Sequence, residues 1–506
     1  MSLLPFLLIT TIGATLALLL RRHVRLAGGL GLTALALAIV AAAAIRPDEV
    51  VAVGGDGVVT TAYLRVFLLL GSIVGFGLAL VGAAAGSRRD ATAVSLAILA
   101  TSAMALAVPD PRLAVLAATT GGAFGVLLTL VPSGGRTGAT VGILVLRATV
   151  IAGTMAIAAT AWIGRDLSEL AAQPVVFGLA YLAFALAVAL RFGAIPFHGW
   201  AARLTDAVPE ADLPLVTGWA PAAFAVVALA WIDASIAPLL VDLDAVRAIV
   251  IAIAIASIVL ALVAAWIQDD LEHIVGYSIV GDAGVVLLAL AALSPEAWAP
   301  ARTWIIVFVV ARSAFAAWAA ATRATFYTGR VGDLRGWAVR APLLAGTFVL
   351  VIVASIGLPG LAGFEARAQI VDVTLDGPLQ LLVLIATLAP LAYYARLLLV
   401  GLARPDPEAQ GPAPWRPILT PLDVTSIRDW GGRTWAANRA FAASIAALGL
   451  ALVAAAVMAG AFGTSEAAAG LPPALERAGE PIQPGQPEEP LPSDDVLPPE
   501  PSSEAP

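Results

Sequence analysis

The sequence predicts an all-α polytopic membrane fold of about fourteen transmembrane helices, on two observations. Of the 506 residues, 60% are hydrophobic and only 12% are charged, too apolar a composition for a water-soluble protein to cover its surface. Apolar runs of roughly 20 residues, the length that one bilayer crossing needs, recur from Ser2 to Phe462. We therefore expect one large transmembrane domain over residues 1–462.

The apolar runs give the position of each expected helix. The predicted crossings lie at roughly 2–20, 26–45, 63–85, 91–108, 112–132, 141–163, 175–197, 213–233, 246–267, 271–293, 302–322, 343–373, 378–402 and 439–462. Arg21 and Arg22 follow the first run, whereas a signal peptide carries its positive charge in front of the apolar run. We therefore interpret the first run as a retained helix.

Charge in the short loops predicts the orientation of the chain. Arginines follow the first, third, fifth and eleventh crossings, all on one side, and such positive loops mark the cytoplasmic side. Acidic loops follow the second, sixth and tenth crossings on the opposite side. Asp269, Asp270 and Glu272 are an acidic exception, but carboxylates weigh little in this rule. We expect a multi-pass protein of a bacterial inner membrane with both termini extracytoplasmic.

The residue types that are missing exclude several kinds of site. There is no cysteine, which excludes disulfides, iron–sulfur ligation and a thiol nucleophile. Three histidines argue against a haem or a polyhistidine metal site, and the net charge of −7 argues against a nucleic-acid partner. All 28 basic residues are arginine, whose guanidinium stays protonated in proteins. The basic side chains of this protein can therefore hold charge but are poor proton carriers.

The last segment, 463–506, is expected to be an acidic, Pro- and Glu-rich disordered tail. It consists of Pro, Glu, Ser and Gly with almost no aromatic residue, a composition that cannot bury enough apolar surface to fold. A solvated tail and a docking segment are both compatible with this composition. The lack of helical periodicity favours the solvated tail.

Two crossings carry helix-breaking residues. Gly193 and Pro196 lie in the seventh crossing, and Gly357, Pro359 and Gly363 lie in the twelfth. Proline removes an intrahelical hydrogen bond and clashes with the preceding turn, so both helices should be interrupted. Interrupted helices five crossings apart indicate two inverted five-helix repeats, with an ion path beside the breaks. The alternative is that these Gly and Pro residues have no special role, since both residue types are common in membrane helices. The repeats would span about 91–240 and 246–402.

Three parts of the sequence resemble the proton-antiporter family shared by complex I, multisubunit sodium/proton antiporters and membrane-bound hydrogenases. Arg191–Trp200, followed by Pro209–Pro214, resembles the first broken helix of that family. Asp270–Ile279 is similar to the family segment that ends in Ala-Tyr-Ser-Ser-Ile, and Gly357–Arg367 is similar to its second broken helix. The segments occur in the family's order. The overall length and Tyr393–Arg396 look most like the N-type subunit of the NADH-quinone oxidoreductases.

The sequence departs from this family at the channel residues. The resemblance implies a Glu in the fifth helix, a paired Lys in the seventh, a further Lys in the eighth, and a Lys or Glu in the twelfth. Here 113–164 contains no acidic residue, and Arg191 stands at the first Lys position. Ala222 or Ala223 stands at the second Lys position, and Arg367 at the third. The lysine-based proton path is therefore disabled or rebuilt around carboxylates.

Further departures place acidic residues where the family has basic ones. Glu272 and His273 replace the family's basic pair, and Asp282 lies where the family has a channel histidine. Asp282 is about eleven residues into the tenth helix, roughly 16 Å along it and near mid-membrane. A carboxylate at this depth needs a partner, and the arginines Arg312 and Arg367 can supply one.

Two interpretations of these carboxylates follow. In the first, Asp282 and Glu365 titrate and carry protons through the membrane. In the second, they form fixed ion pairs that hold the helices together, because arginine partners favour a permanent charge. The sequence supports both interpretations.

Two other residues complete the set of candidates. Arg147, in the middle of the sixth crossing, has no acidic neighbour on its own or the preceding helix, so it should meet another segment or another subunit rather than lipid. His198 follows Pro196 and either carries protons between half-channels or, by hydrogen bonding, fixes the broken helix.

The resemblance implies a non-redox membrane-arm subunit of a complex I-like, proton-translocating NADH-quinone oxidoreductase that acts through a buried polar axis. We expect no cofactor in this chain, since it has no glycine-rich phosphate loop between a strand and a helix. NADH, FMN, iron–sulfur clusters and quinone are expected in partner subunits, and the partners are other membrane-arm subunits and the lipid bilayer. The alternatives are a subunit of a cation/proton antiporter or other gradient-driven transporter, and a transport-inactive scaffold subunit.

Overall fold

The computed structural model describes residues 2–53, 56–86, 91–130, 136–163, 174–236, 243–404 and 427–471. Eleven helical segments in these ranges are long and apolar enough to cross a membrane, and three shorter apolar helices accompany them. The prediction of a polytopic, mostly helical membrane fold is therefore confirmed. The count of about fourteen crossings and the two inverted repeats stay predictions.

The N-terminal part of the chain contains long helices and a short hairpin. The helices are α1 (Leu4–Leu19), α2 (Val24–Ala43), α3 (Ala62–Ala85), α4 (Ala91–Ala107), α5 (Pro111–Leu130) and α6 (Arg136–Ile163). Between α2 and α3, strands β1 (Val50–Val53) and β2 (Asp56–Val59) pair in antiparallel orientation. The sequence predicted only an acidic loop here, because two four-residue strands are too short to show a reliable alternating pattern.

The middle part contains the first broken helix and the centre of the bundle. The helices are α7 (Pro174–Phe192), α8 (Gly199–Ala207), α9 (Ala220–Ile236), α10 (Asp244–Ile267), α11 (Leu271–Ala292) and α12 (Trp298–Phe326). A π-helical turn at Leu215–Trp219 leads directly into α9. A 3-10 turn at Pro295–Ala297 leads into α12.

The C-terminal part contains the second broken helix. The helices are α13 (Trp337–Arg340), α14 (Pro342–Ile356), α15 (Ala362–Thr374), α16 (Gly377–Leu388), α17 (Leu391–Leu402), α18 (Ile427–Met458) and α19 (Thr464–Ala469). Helices α16 and α17 together form one apolar segment of 26 residues, Gly377–Leu402.

Both predicted helix breaks are confirmed. Helix α7 ends at Phe192, and the chain turns through Gly193, with a φ of 65°, and a cis Ile195–Pro196 peptide before α8 begins. Helix α14 ends at Ile356 and is followed by Gly357, also with a φ of 65°. A positive φ is easily adopted by glycine, so these two glycines allow the turns that end the helices.

Helices α9 and α12 form the centre of the bundle. All residues of Leu215–Ile232 and all residues of 300–322, in α12, are buried inside the protein. A helix that is apolar on all sides and covered on all sides is an interior helix. Helix α12 contacts α3, α9, α11, α14, α15 and α18, so it connects the N-terminal and C-terminal parts of the chain.

The packed part of the chain extends further toward the C-terminus than predicted. Residues 463–471, the beginning of the predicted tail, contain α19, and Leu471 is buried. Arg302 of α12 donates from Nη1 to the Leu471 carbonyl at 3.2 Å. A six-residue helix is too short to give a periodic signal in the sequence. Residues 472–506 lie outside the described residues, so the disordered tail stays a prediction for them.

Phe348 of α14 lies in an aromatic cluster that joins four helices. Its ring centroid is 4.3 Å from that of Trp318, 5.5 Å from that of Trp337 and 5.7 Å from that of Tyr394. Tilted and edge-to-face ring pairs of this kind are favourable beyond the area that they bury. The cluster therefore fixes α14, the helix before the second break, against α12, α13 and α17.

Phe348→Ala is expected to lower the free energy of unfolding by about 3–5 kcal/mol, because truncation of a buried aromatic side chain leaves a cavity. Thermal unfolding of the purified protein in detergent measures this loss. Val349→Ala is the matched control, since Val349 is the next residue and is 50% exposed. Equal unfolding midpoints for the two variants would show that the cluster does not stabilise the fold.

Candidate functional site

A buried ion pair joins α11 to α12. Asp282 and Arg312 are both buried, and Asp282 Oδ2 accepts a hydrogen bond from Arg312 Nε at 2.5 Å. Arg312 Nη1 also donates to the hydroxyl of Tyr393 at 3.2 Å and to that of Tyr394. The expectation that Asp282 would pair with Arg312 is therefore confirmed. The two phenols were noted in the sequence only for their resemblance, and they complete the shell around this arginine.

Arg367 has a different role from the predicted one. It was expected as a second partner of Asp282, but its Nη1 donates to the Thr387 carbonyl at 2.9 Å and its Nη2 to the carbonyl of Ile356. Ile356 is the last residue of α14, where helical carbonyls have lost their usual partners. The guanidinium also lies over the ring of Trp304, 5.1 Å from its centroid. Arg367 therefore satisfies the backbone at the second break.

A small cavity lies between the ion pair and Arg367. Asp282, Arg367, Tyr393 and Thr387 contribute to its walls, and its volume is about 20 Å³. This is enough for about one water molecule with polar neighbours. Asp282 therefore pairs directly with one arginine and shares this cavity with a second one.

Arg191 is the buried charge of the first broken helix. Its side chain is buried at the end of α7, and Nη1 donates to Thr149 Oγ1 on α6 at 2.9 Å. In the described part of the chain, Nε and Nη2 have no hydrogen-bond partner. On α5, Gly122 leaves space for the guanidinium, because a Cβ there would lie 2.2 Å from Nη2. Arg191 is therefore buried without a carboxylate partner among the described residues.

The first break is fixed by residues that the sequence did not single out. Ser257 Oγ on α10 accepts from the Ile195 backbone N–H at 3.0 Å, and Trp200 Nε1 donates to the Leu190 carbonyl at 3.0 Å. His198 is half-buried, and its Nδ1 has no partner among the described residues. The anchoring role considered for His198 is therefore filled by Trp200 and Ser257.

A larger cavity, which we call the acidic vestibule, lies at the end of the bundle predicted to be cytoplasmic. It has a volume of about 570 Å³, and its walls include Asp206, Glu210, Glu272 and Arg323. Arg323 Nη1 lies 2.8 Å from Glu210 Oε1 and 3.4 Å from Glu272 Oε2. His273 Nε2 lies 3.1 Å from Asp206 Oδ1. Glu272 and His273 thus belong to a carboxylate-rich cluster with three partners that were not predicted as site residues: Asp206, Glu210 and Arg323.

Two predicted site residues face outward instead of into the bundle. Glu365 is exposed, and its Oε1 accepts from the Gly360 backbone N–H at 2.9 Å. It is two residues from the buried Arg367, and helical residues two apart point to different sides. Pro359 in the second break is exposed as well. Glu365 therefore lies away from the buried charges, including Asp282, with which it was predicted to act.

Arg147 of α6 also faces outward. Its side chain is exposed, and within the described residues it makes no hydrogen bond or ion pair. None of the described segments of this chain supplies a polar partner for it. The expectation that it meets another segment or another subunit rather than lipid stays a prediction.

Gly363 is the helix-break residue that packing explains best. A Cβ at this position would lie 2.5 Å from the Met458 methyl group and 3.0 Å from Val307 Cγ1. Helix α15 thus approaches α18 and α12 closely at Gly363.

Among the described residues, no group of three or more His, Asp or Glu side chains is arranged to hold a metal ion.

Asp282→Ala is expected to destabilise the protein by about 3–5 kcal/mol, because it leaves the Arg312 charge buried without its carboxylate. The midpoint of thermal unfolding in detergent measures the loss. Combining it with Arg312→Met should recover part of the stability, because the unpaired charge is then removed. Asp372→Ala, at an exposed carboxylate, is the control. A variant Asp282→Ala as stable as this control would contradict the structural importance of the pair.

A family model covers the region that contains both breaks and all the buried charges just described. Residues 122–391, more than half of the chain, match the model described as "NADH:quinone oxidoreductase/Mrp antiporter, TM". The match begins at Gly122, which contacts Arg191, and continues to α17.

Curated relatives match over part of their length. The NADH-quinone oxidoreductase subunit N of Halorhodospira halophila is 28% identical over 248 residues, which is 47% of this chain and 50% of the relative. The protein of the same name from Polaromonas naphthalenivorans is 30% identical over 211 residues, 40% of this chain and 41% of the relative. The chain thus spans about half the length of the first relative and 41% of the length of the second.

Solved structures resemble the fold over nearly the whole chain. A chain of the Mrp complex from Dietzia sp. DQ12-45-1b superposes with a TM-score of 0.69 at 19% identity, covering 92% of this chain and 96% of that one. A chain of respiratory complex I from Thermus thermophilus with bound Aureothin gives 0.62 at 20% identity, covering 88% and 97%. At such identities the likeness concerns the fold alone. With the family match over more than half of its length, this chain belongs to the NADH:quinone oxidoreductase/Mrp antiporter transmembrane family.

Proposed function

We propose that this chain is a non-redox membrane-arm subunit of a proton-translocating, complex I-like NADH-quinone oxidoreductase. The observation that carries the proposal is the buried cluster of Asp282, Arg312 and Arg367 beside a broken helix, in the region matched by the family model. Buried ionisable groups in a membrane domain are costly and serve ion pathways or their coupling. The relatives named subunit N of this enzyme support the same assignment.

The polar residues follow an axis through the bundle. Arg191 lies at the first break, the Asp282–Arg312 pair lies between α11 and α12, and Arg367 lies at the second break. Arginine does not release its proton under physiological conditions, so a proton path must use carboxylates or histidines. Among the residues that the structure describes, the carboxylate on this axis is Asp282, which lies well inside a transmembrane helix.

The arrangement allows Asp282 to exchange partners. It is bonded to Arg312 and shares the water-sized cavity with Arg367. A change of the electric field along the axis would favour one arginine over the other, and the carboxylate would move or exchange its proton in response. In this proposal, electron transfer in other subunits supplies the field change, and the acidic vestibule takes up protons from the cytoplasm.

The remaining features follow from this assignment. We infer that both termini are extracytoplasmic in a bacterial inner membrane and that the repeats span about 91–240 and 246–402. The transmembrane domain would end near residue 462 and continue as the acidic tail, with 463–471 packed as described. NADH, FMN, iron–sulfur clusters and quinone would be bound by partner subunits, and the other membrane-arm subunits would contact this chain in the bilayer.

A gradient-driven cation/proton antiporter subunit is the second candidate. The observation that favours it is the similarity to a chain of an Mrp complex over 92% of this chain. A transport-inactive scaffold subunit is the third candidate. A proton path at the first break would need titratable groups, but the two residues in contact there are Arg191 and Gly122. Neighbouring genes separate the first two, since redox subunits accompany one and small antiporter subunits the other.

Asp282→Asn is expected to lower the number of protons translocated per electron while the complex stays assembled, because the asparagine carbonyl oxygen can still accept the hydrogen bond from Arg312 but the side chain cannot carry a proton. Purified complex in proteoliposomes, with a pH-sensitive dye and simultaneous NADH oxidation, measures the ratio. Glu365→Gln is the matched control, since this carboxylate is exposed. Normal proton translocation by an assembled Asp282→Asn complex would contradict the proposal.

Arg191→Met tests whether Arg191 is kept for function. We expect an unchanged or higher unfolding midpoint, because replacement of a buried charge whose donors lack partners is often neutral or stabilising, by about 1–4 kcal/mol. We also expect reduced proton translocation. Arg247→Met is the matched control: Arg247 donates to the carbonyls of Ala291 and Thr374, so its loss should destabilise. If both variants lose the same stability and Arg191→Met pumps normally, Arg191 is structural.

A further inference from the structure

The outward-facing arginine of α6 lies in the middle of the membrane. Helix α6 spans Arg136–Ile163, and Arg147 is about eleven residues from its beginning, roughly 16 Å along the axis. The hydrocarbon core of a bilayer is about 30 Å thick, so this is near its centre. Long basic side chains reach the interface when they lie near helix ends, and Arg147 does not.

The face of α6 around Arg147 is otherwise apolar or self-satisfied. From residue 143 onward, the exposed residues of α6 recur at helical spacing along one side; they are Ile143, Arg147, Val150, Ile151, Thr154 and Ala158. The Thr154 hydroxyl already donates to the Val150 carbonyl at 2.9 Å. Arg147, a cation for which the described residues supply no partner, therefore lies on an apolar strip of the helix.

No other described arginine has this position. The buried arginines of the described residues all donate hydrogen bonds inside the protein; they are Arg191, Arg302, Arg312 and Arg367. The remaining exposed arginines of the described residues lie in loops, in the short helix α8 or near helix ends. A guanidinium in contact with lipid at this depth would cost several kcal/mol, so the exposure of Arg147 indicates that something else covers it.

We propose that the Arg147 face of α6 docks a transmembrane helix of a different subunit, and that this helix presents an Asp or Glu at mid-membrane depth. The pair between Arg147 and that carboxylate would fix both the depth and the rotation of the partner helix. The apolar residues on either side of Arg147 would pack against small and apolar side chains of the partner. This inference rests on the proposed function in requiring a multisubunit membrane complex, but it does not require a particular electron donor.

A second copy of this chain fits the face less well. A two-fold symmetric contact through α6 would bring two Arg147 side chains near each other, which is repulsive. A contact between the α6 face of one copy and the exposed Glu365 of another would be head-to-tail, and such contacts extend into open arrays unless the rotation closes. A carboxylate on a different subunit avoids both problems.

Charge variants test the pair in the purified complex. In Arg147→Leu and Arg147→Glu, the ratio of partner to tagged chain after mild-detergent purification should fall at least about tenfold, because truncating one side of a buried charge pair strongly weakens it. Arg147→Lys should retain more partner than either. Arg112→Leu, at an exposed arginine where α5 begins, is the matched control and should retain it fully. Full retention in Arg147→Glu would overturn the proposal.

Cross-linking identifies the partner without relying on loss of assembly. The chain has no native cysteine, so Ile151→Cys places one thiol on the Arg147 face, and Val263→Cys, on α10, places one at a similarly exposed apolar site. We expect the first variant to cross-link to a helix of another subunit with an Asp or Glu within about one turn, and the second not to reach that helix. A cross-link to a second copy, to 405–426 of the same chain, or to nothing would overturn the docking proposal.

The identity of the cross-linked subunit separates this proposal from the proposed function. If the helix belongs to a subunit of a preparation that contains redox subunits, both stand. If it belongs to an antiporter subunit and no redox subunit is present, the docking face stands and the oxidoreductase assignment fails.

Discussion

The ion pair between Asp282 and Arg312 is the interaction on which the membrane interior of this protein depends. A carboxylate and a guanidinium at mid-membrane depth cannot be hydrated by bulk water, so each needs the other and further hydrogen bonds. Tyr393 and Tyr394 supply those bonds to Arg312. Three helices, α11, α12 and α17, are therefore held in one relative position by a single polar cluster at the centre of an otherwise apolar bundle.

The complete absence of lysine shapes the rest of the structure. Arginine keeps its charge, so each buried guanidinium must be satisfied where it stands. At the second break this is possible, because the end of α14 frees the Ile356 carbonyl for Arg367. At the first break Arg191 has only Thr149 among the described residues and two nitrogens without partners. The two breaks are thus similar in backbone but different in electrostatics, because the arginine of the second break shares a cavity with the carboxylate of Asp282.

Local chemistry explains what could be predicted from the sequence. Both breaks were predictable because Gly and Pro act on the adjacent backbone, and the Asp282–Arg312 pair because a mid-membrane carboxylate has few possible partners. The outward direction of Arg147 was not, since the rotation of an almost entirely apolar helix leaves no pattern in the sequence. That of Glu365 was not either, because its helix also carries Arg367, and the sequence does not show which of the two charges is buried. The Glu210–Arg323 contact joins residues 113 positions apart, and no local rule could place them together. Helix α19 was not predicted because its six residues are too few to give a periodic pattern.

The most direct test of the account is the set of proteins that accompanies the tagged chain from the membrane in mild detergent, identified by mass spectrometry. The account places this chain in a redox-driven membrane arm, so subunits carrying iron–sulfur clusters and a quinone site should co-purify in fixed ratio. Co-purification of small hydrophobic antiporter subunits alone would contradict it, and the buried cluster around Asp282 would then belong to a gradient-driven transporter.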